Sequence, residues 1–477
     1  MVAPGRTRRS LPFLVALAAV LGSGCSTQDS LPDDQRTRAA DEKVRVKWGK
    51  SLQELPTETL VLISPHNENI RNEYEWAFSL HHAVEYGRKV RFERRDVGGG
   101  GSAIYDFLAN TYKWKDTADI DVLWGGGEFN FVPLAKKGIL TPMKLDPDVL
   151  ANIPPELGGL PMYDKELRWV GTALSAFGFL YNDGLLRRCR IEPPRRWEDL
   201  GDRRFADLVA LADPTQSGSA AATYHMIARS GSDWPDGWAR LLRVLSNAKQ
   251  FTDSAGSAAN APVLGEALVA TSIDFYGALR VAEAPDELVY VSPRGQTAFG
   301  PDPIAILKNP PHPQLARRFV DFVLSARGQA LWALRAGETD GPVRSALGRQ
   351  PIRRDVYEKY RGKMLASIVN PYEAGQAMAL EGFRKRIDYA VLRALIRAAA
   401  VDNIRGLRAA RAKLIETNFD PVLVAELNRL PDNVATLERM AATKRALKDE
   451  TQREVLLTDW QRFFRRKYER IAGASDG

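Results

Sequence analysis

The apolar residues come in short runs parted by polar turns, and the period of the pattern alternates between strand-like and helix-like. Leu60-Val-Leu-Ile63 is unbroken and predicts a buried strand. Tyr74 to Tyr86 follows with helical spacing, Phe78, Val84 and Tyr86 among its large apolar positions. Val90-Arg-Phe92 and Ile120-Asp-Val-Leu-Trp124 predict two more strands. Gly98 to Gly101 form a loop before a helix from Ser102, and Gly125-Gly-Gly127 closes the third strand. A helix over Phe129 to Lys137 ends at Gly138, a residue suited to a left-handed C-cap. Strands alternating with helices predict an α/β fold around a largely parallel sheet. Ligands of such sheets sit at the carboxyl ends of the strands. Here those ends are Ser64, Gly98 and Gly125.

The pattern then repeats. Residues 139–168 form a Pro-rich connection, and Phe177-Gly-Phe-Leu-Tyr-Asn182 alternates like a strand. The run Leu208 to Ala212 stops at Asp213-Pro214, passes through a small polar turn and becomes helical from Ala220 to Ala228. A strand, a short turn and a helix leave the first helical N–H groups pointing outward, with the helix dipole behind them. With the hydroxyls of Thr215, Ser217 and Ser219 close by, the turn is a candidate anion cradle; an ordinary helix cap is the competing reading. A Trp-containing segment at 234–245 and the segment from Gly265 to Tyr276 complete a second unit. Val289-Tyr-Val-Ser-Pro293 and Pro303-Ile-Ala-Ile-Leu307 are further strands, and Pro313 to Leu334 predicts an amphipathic helix.

From Glu373 onward the pattern is helical only. Phe383, Ile387, Val391 and Leu395 make one apolar stripe, with Arg384, Lys385, Arg386 and Arg393 between them. Asp420-Pro421 starts a further helix and Leu430-Pro431 breaks it. A last pattern runs from Val434 to Ile471 without a sustained seven-residue repeat, which predicts packed helices rather than a coiled coil. The stripe either packs on the preceding lobes or faces a membrane partner, as the Arg465-Arg-Lys467 run would suit.

Composition narrows the function classes. The 477 residues carry 44% apolar side chains and a net charge of +8, which reads as spread along the chain rather than gathered in a tail. No nucleic-acid motif accompanies that charge. Four adjacent glycines lack the spacing of a dinucleotide loop, and no Gly-Lys-Ser/Thr follows them. No Ser-His-Asp order, His-Glu-x-x-His or Cys-His constellation stands out, so an enzyme is not the expectation and no cofactor is called for. His66, His81 and His82 lack zinc-site spacing, and the His81-His82 pair reads as helix surface. At the start, Arg6, Arg8 and Arg9 precede the apolar stretch Leu11 to Leu21 and the small residues Gly22-Ser-Gly24, the three parts of an export signal. Residues 25–56 are polar and read as a tether with one short helical piece. The only other cysteine, Cys189, gives no disulfide framework if Cys25 is modified.

Leu21-Gly-Ser-Gly-Cys25 resembles a bacterial lipoprotein box, with Cys25 as the lipid anchor and residues 1–24 as the signal peptide. The joint order of Ala118-Asp-Ile-Asp-Val-Leu-Trp124, Trp197-Glu-Asp-Leu200, Ala212-Asp-Pro214, Ser217-Gly-Ser219, Gly265-Glu-Ala-Leu-Val-Ala-Thr271 and the block from Asn309 to Leu331 resembles solute-binding proteins of bacterial ABC importers. The nearest branch is the type 2 periplasmic fold of the ferric-iron and anion binders, over residues 58–345. The resemblance implies an α/β, two-lobe type 2 periplasmic binding protein fold with a C-terminal all-helical extension. Lobe one would hold 57–165 and 290–345, lobe two 166–289, and the extension 346–477. The ligand would lie in the cleft against Ser64, His66, Asn67, Glu68, Gly125, Gly126, Ser175, Ser217, Gly218, Ser219, Asp274 and Tyr276. The implied partners are a small anionic solute or a metal–anion complex, an ABC permease, and the membrane through the lipid anchor, for a monomeric periplasmic or cell-envelope protein that binds no nucleic acid. A lipoprotein that senses its ligand for a membrane kinase is the alternative. Ferric binders of this branch carry two adjacent tyrosines where this chain has Phe275-Tyr276, so a phenolate is missing. Tyr276, Glu68, His66 and Asp274 could form a different metal set.

Overall fold

The computed structural model describes residues 31–473 except 33 and 99. The export segment and Cys25 lie outside the described residues.

Two sheets form the scaffold. The first runs Gln350–Pro351, Val170–Ser175, Gly300–Leu307, Val122–Trp124, Thr57–Ile63, Lys89–Arg94, with Leu140–Thr141 paired to Gly300–Leu307. Thr57–Ile63 pairs in parallel with both of its neighbours, whereas Gly300–Leu307 runs antiparallel to the strands beside it. The unbroken run at its centre has a physical reason. Leu60 and Leu62 pack into one core layer while Val61 and Ile63 pack into the other, so both faces of the strand are buried. The second sheet runs Ala248–Thr252, Val209–Ala212, Val269–Ile273, Phe177–Asn182, Leu288–Val291.

The chain passes between the sheets at three places. Ser175 ends a strand of the first sheet and Phe177 begins one of the second, with only Ala176 between. Leu288–Val291 lies in the second sheet, and Gly300–Leu307 returns to the first. This places 166–175 with the first sheet, because Val170–Ser175 pairs with Gly300–Leu307; the sequence boundary for lobe two fell ten residues early. The third passage is a strap around 376–380. Gly295 donates to the Gln376 carbonyl at 3.1 Å, Met378 to the Thr297 carbonyl at 2.8 Å and Leu380 to the Gly158 carbonyl at 2.8 Å. Gly158 and Gly159 sit at positive φ, and a Cβ there would lie 2.7 and 2.6 Å from the Met378 and Leu380 carbonyl oxygens, so glycine is what admits the strap.

Two expectations change at the chain's near end. Residues 35–56 are not a tether: the helix Gln35–Trp48 buries Ala40 and Val44 against Leu80 and Ala83 of the helix Glu68–Tyr86. His82 is not helix surface either. It is fully buried, and its Nδ1 lies 2.8 Å from the Arg88 carbonyl.

The C-terminal helices complete the second lobe. Val391, Leu395, Leu407, Leu414, Trp460, Phe464 and Tyr468 share one apolar core with Trp197, Trp234, Trp238 and Leu242. The Trp234 indole donates to the Val434 carbonyl at 2.8 Å. Nor is the charge evenly spread. Residues 383–477 carry twenty basic and thirteen acidic side chains, +7 of the total +8. Much of that excess works inside the molecule. Arg393 donates to the Pro214 carbonyl at 2.8 Å, Arg408 to that of Ala248 at 2.8 Å and Arg411 to that of Ser246 at 2.7 Å. Carbonyl oxygens left over at strand and helix ends need donors when covered, and guanidinium supplies several from one side chain.

Candidate functional site

The loops after the strands meet where the lobes join. His66 follows Thr57–Ile63, and its Nε2 lies 2.6 Å from Asp302 Oδ2. Gly125 and Gly126 follow Val122–Trp124 at φ 90° and 103°. A Cβ on Gly125 would stand 2.5 Å from His66 Nε2, so the glycine makes room for the imidazole. The Gly126 N–H donates to Asp302 Oδ1 at 2.9 Å. Arg349 completes the group, donating to Asp302 and to Ser175 Oγ, and its guanidinium lies over the rings of Trp332 and Phe275 at 5.3 and 5.4 Å.

Electrostatics follow from this geometry. Burial alone would raise the Asp302 carboxyl, but Arg349 and His66 hold it far below the usual carboxylate range. Burial lowers His66 below the usual imidazole value against the pull of Asp302, which favours the neutral ring with Nε2–H on the carboxylate. Asp274 begins the helix Asp274–Glu283 in the other lobe, and its carboxylate accepts from the N–H of the crossing residue Ala176 at 2.9 Å. Burial raises it to about 7, opposed by Arg349. Glu128 opens the helix Glu128–Lys136 of the first lobe; burial raises it, Asp302 adds to the rise, and Arg229 of the second lobe opposes. Arg229 in turn is lowered to about 10 by burial, with Glu128 opposing.

On the second lobe the turn after Val209–Ala212 has its own order. Asp213 Oδ1 accepts from the Thr215 N–H and Oγ1, both at 2.7 Å. Ser217 caps the helix Gly218–Arg229, accepting from the Ala220 N–H at 3.3 Å, and its hydroxyl lies 3.3 Å from that of Ser219. The N–H groups of Gly218 and Ser219 come before the first acceptor of the helix and have no partner within it.

Of the sequence candidates, His66 and Gly126 converge on Asp302, Ser175 on Arg349, Gly125 packs against His66, Ser64 holds the His66 N–H at 3.1 Å, and Asp274 holds the crossing residue Ala176. Others have plainer roles. Asn67 caps Glu68–Tyr86, accepting from the Ile70 N–H at 3.0 Å, and Glu68 is exposed in the first turn. Tyr276 packs 3.8 Å from where a Gly256 Cβ would stand, with its ring 4.3 Å from that of Phe275. The alternative metal set is therefore not assembled: among the described residues no three His, Cys, Asp or Glu side chains gather as metal ligands. Asp302 and Arg349 escaped the sequence reading. Asp302 carried one signal, a lone acid between two prolines at the head of an apolar run. Arg349 carried none.

The comparisons with known proteins agree with this architecture. The sequence pattern of the family described as bacterial extracellular solute-binding protein matches residues 121–348. A Haemophilus influenzae protein of uncharacterized role is 30% identical over 255 residues, 52% of this chain and 68% of its own length. The phosphoglycerate transport regulatory protein PgtC of Salmonella typhimurium is 28% identical over 167 residues, 34% of this chain, and the match spans 40% of that relative's length. In three dimensions the chain is similar to the periplasmic binding protein AfuA of Actinobacillus pleuropneumoniae, solved with fructose-6-phosphate, at 20% identity and a TM-score of 0.52 over 76% of this chain and 99% of that one. That likeness concerns the fold alone: an α/β arrangement in two lobes. From these matches and the two linked sheets together, the chain belongs to the family of bacterial extracellular solute-binding proteins.

Proposed function

We propose that the protein captures a small anionic solute between its lobes outside the cytoplasm, held to the membrane by Cys25, and delivers it to an ABC permease. The observation that carries the reading is the turn 213–219, where two uncommitted N–H groups and two hydroxyls stand at the positive end of a twelve-residue helix. The first lobe supplies a floor whose charge is already balanced, since Asp302 is matched by Arg349. A ferric site is disfavoured because Phe275 stands beside Tyr276 where the branch would place a second phenolate, which leaves a trivalent metal one hard oxygen donor short.

The Salmonella relative is named as a transport regulatory protein, which supports a second reading: the loaded receptor signals to a membrane kinase instead of a permease. Native mass spectrometry of the protein purified from an envelope fraction tests the first step of both. The expected result is a co-purifying small organic or inorganic anion, released on denaturation. A bound ferric ion, with a charge-transfer band lost in Tyr276→Phe, would refute the anion reading. Co-purification of the protein with a permease and its ATPase, or with a histidine kinase, separates transport from sensing.

A further inference from the structure

The turn 213–219 is gripped from outside its own lobe sequence. The helix Tyr389–Ile396 of the C-terminal extension lies against it, about 180 residues further along the chain. Arg393 donates Nε to the Pro214 carbonyl at 2.8 Å and Nη2 to the Thr215 carbonyl at 2.9 Å. Arg397 donates Nη1 to Thr215 Oγ1 at 2.7 Å and to Asp213 Oδ2 at 3.2 Å. The Tyr389 hydroxyl donates to the Gly218 carbonyl at 2.9 Å. At Arg397 the helix leaves α geometry for one π turn, Arg397–Val401, an irregularity that costs hydrogen-bond quality and recurs at functional positions. Arg397 also lies 3.4 Å from Asp402, so two carboxylates balance its charge. It holds the turn and is not itself free to bind an anion.

We propose that Arg393, Arg397 and Tyr389 are positioning residues for the solute site, so that the C-terminal extension sets the affinity of the turn for its anion. This rests on the reading of the turn as the solute's anion site. The physical argument is one of order. A seven-residue turn with small side chains has many conformers, and only a few aim the Gly218 and Ser219 N–H groups at one point. The aspartate and serine bonds of the turn are local and hold the Thr215 N–H, but they tie neither the Pro214 nor the Thr215 carbonyl to the rest of the lobe. The forked guanidinium of Arg393 ties both carbonyls to one rigid helix. By linkage, an anion that orders the turn must also tighten the extension's hold on it, so occupancy is transmitted to the extension surface.

The test uses the full chain and inorganic phosphate as the probe, with hydrogen exchange of the amides at 215–221 and calorimetry as readouts. In Arg393→Ala and Tyr389→Phe those amides should exchange faster, about 10-fold for the arginine variant, while the strand Thr57–Ile63 and the melting temperature stay as in the parent. Phosphate affinity should fall by about 10-fold in Arg393→Ala and recover in part in Arg393→Lys, which keeps one charged donor. Phosphate added to the parent should slow exchange in Tyr389–Ile396. Unchanged exchange at the turn overturns the inference, as does a loss of affinity that comes only with faster exchange across the whole second lobe. Phosphate bound equally by parent and variants overturns the inference and leaves the receptor reading standing. A parent chain that neither binds phosphate nor is protected by it at the turn overturns both.

Discussion

The two lobes reach stability by different routes. The first is closed on itself. Trp124, Tyr74, Phe78, Phe319 and Trp332 pack edge to face or tilted at ring separations of 4.7 to 5.7 Å, and its strand-end loops hold one buried ionic group centred on Asp302. The second is unfinished without the extension. Its five strands and three main helices leave Trp234 and Trp238 on an outer face, and Trp460, Phe464 and Val434 cover them. The lesson is that a lobe boundary drawn on the sheet is not a folding boundary. Residues 383–473 belong to the second lobe's core, whatever surface they also present.

The largest effect expected from this asymmetry comes from truncation. A chain ending at Gly382 should leave the second lobe exposed, aggregation-prone and open to protease, while fragments covering the first lobe persist. Limited proteolysis read by mass spectrometry decides it; a truncated chain with an intact second lobe would erase the contrast.

Next comes the ionic floor of the first lobe. Asp302→Asn removes the partner of a guanidinium that is 3% exposed, and leaving such a charge unpaired costs about 3–5 kcal/mol. Urea unfolding should show that loss in the first lobe's transition. A loss below about 1 kcal/mol would mean that water already screens the pair.

The two buried aspartates should then oppose each other in pH. Asp302 has a lowered pKa, so its stabilising contribution is present above the unfolded value near 4 and lost as pH falls below it. Asp274 is raised from 3.8 to about 7. Its folded form keeps a proton that the unfolded chain has given up, so stability falls as pH rises from about 4 to about 7 and then levels off. The fall amounts to as much as ~4 kcal/mol. Asp274→Asn should flatten that segment of the profile, and a profile unchanged by the substitution would exclude Asp274 as its source.

The smallest effect is local to the second lobe. Ser217→Ala removes a helix cap and should cost about 1 kcal/mol of stability. If the turn also binds an anion, phosphate affinity drops by about 1–3 kcal/mol in the Ser217→Ala, Ser219→Ala double variant. Calorimetry and thermal melting on the same samples separate the two contributions.

What the sequence by itself determined is the part governed by local period. The run at 60–63, the turn with its helix at 213–228 and the apolar face of Val391 and Leu395 are legible because burial on both faces, capping and helical amphipathicity leave marks within a dozen residues, whereas the single stripe from Phe383 breaks at Ile387, where Asp388 caps a new helix. Ser217 as a cap and Gly125 as the glycine that ends a strand follow from the same short-range rules. Only the tertiary structure decided the rest. Asp302 meets His66 across 236 positions and Arg397 meets Asp213 across 184, and no local pattern records which distant partner a charge will find. The extension's +7 is the sharpest case. In the sequence, its Arg465-Arg-Lys467 run suited a membrane partner. In the fold, arginine after arginine turns to the second lobe's carbonyl oxygens, because covering a sheet end with helices creates acceptors that only long, forked donors can reach.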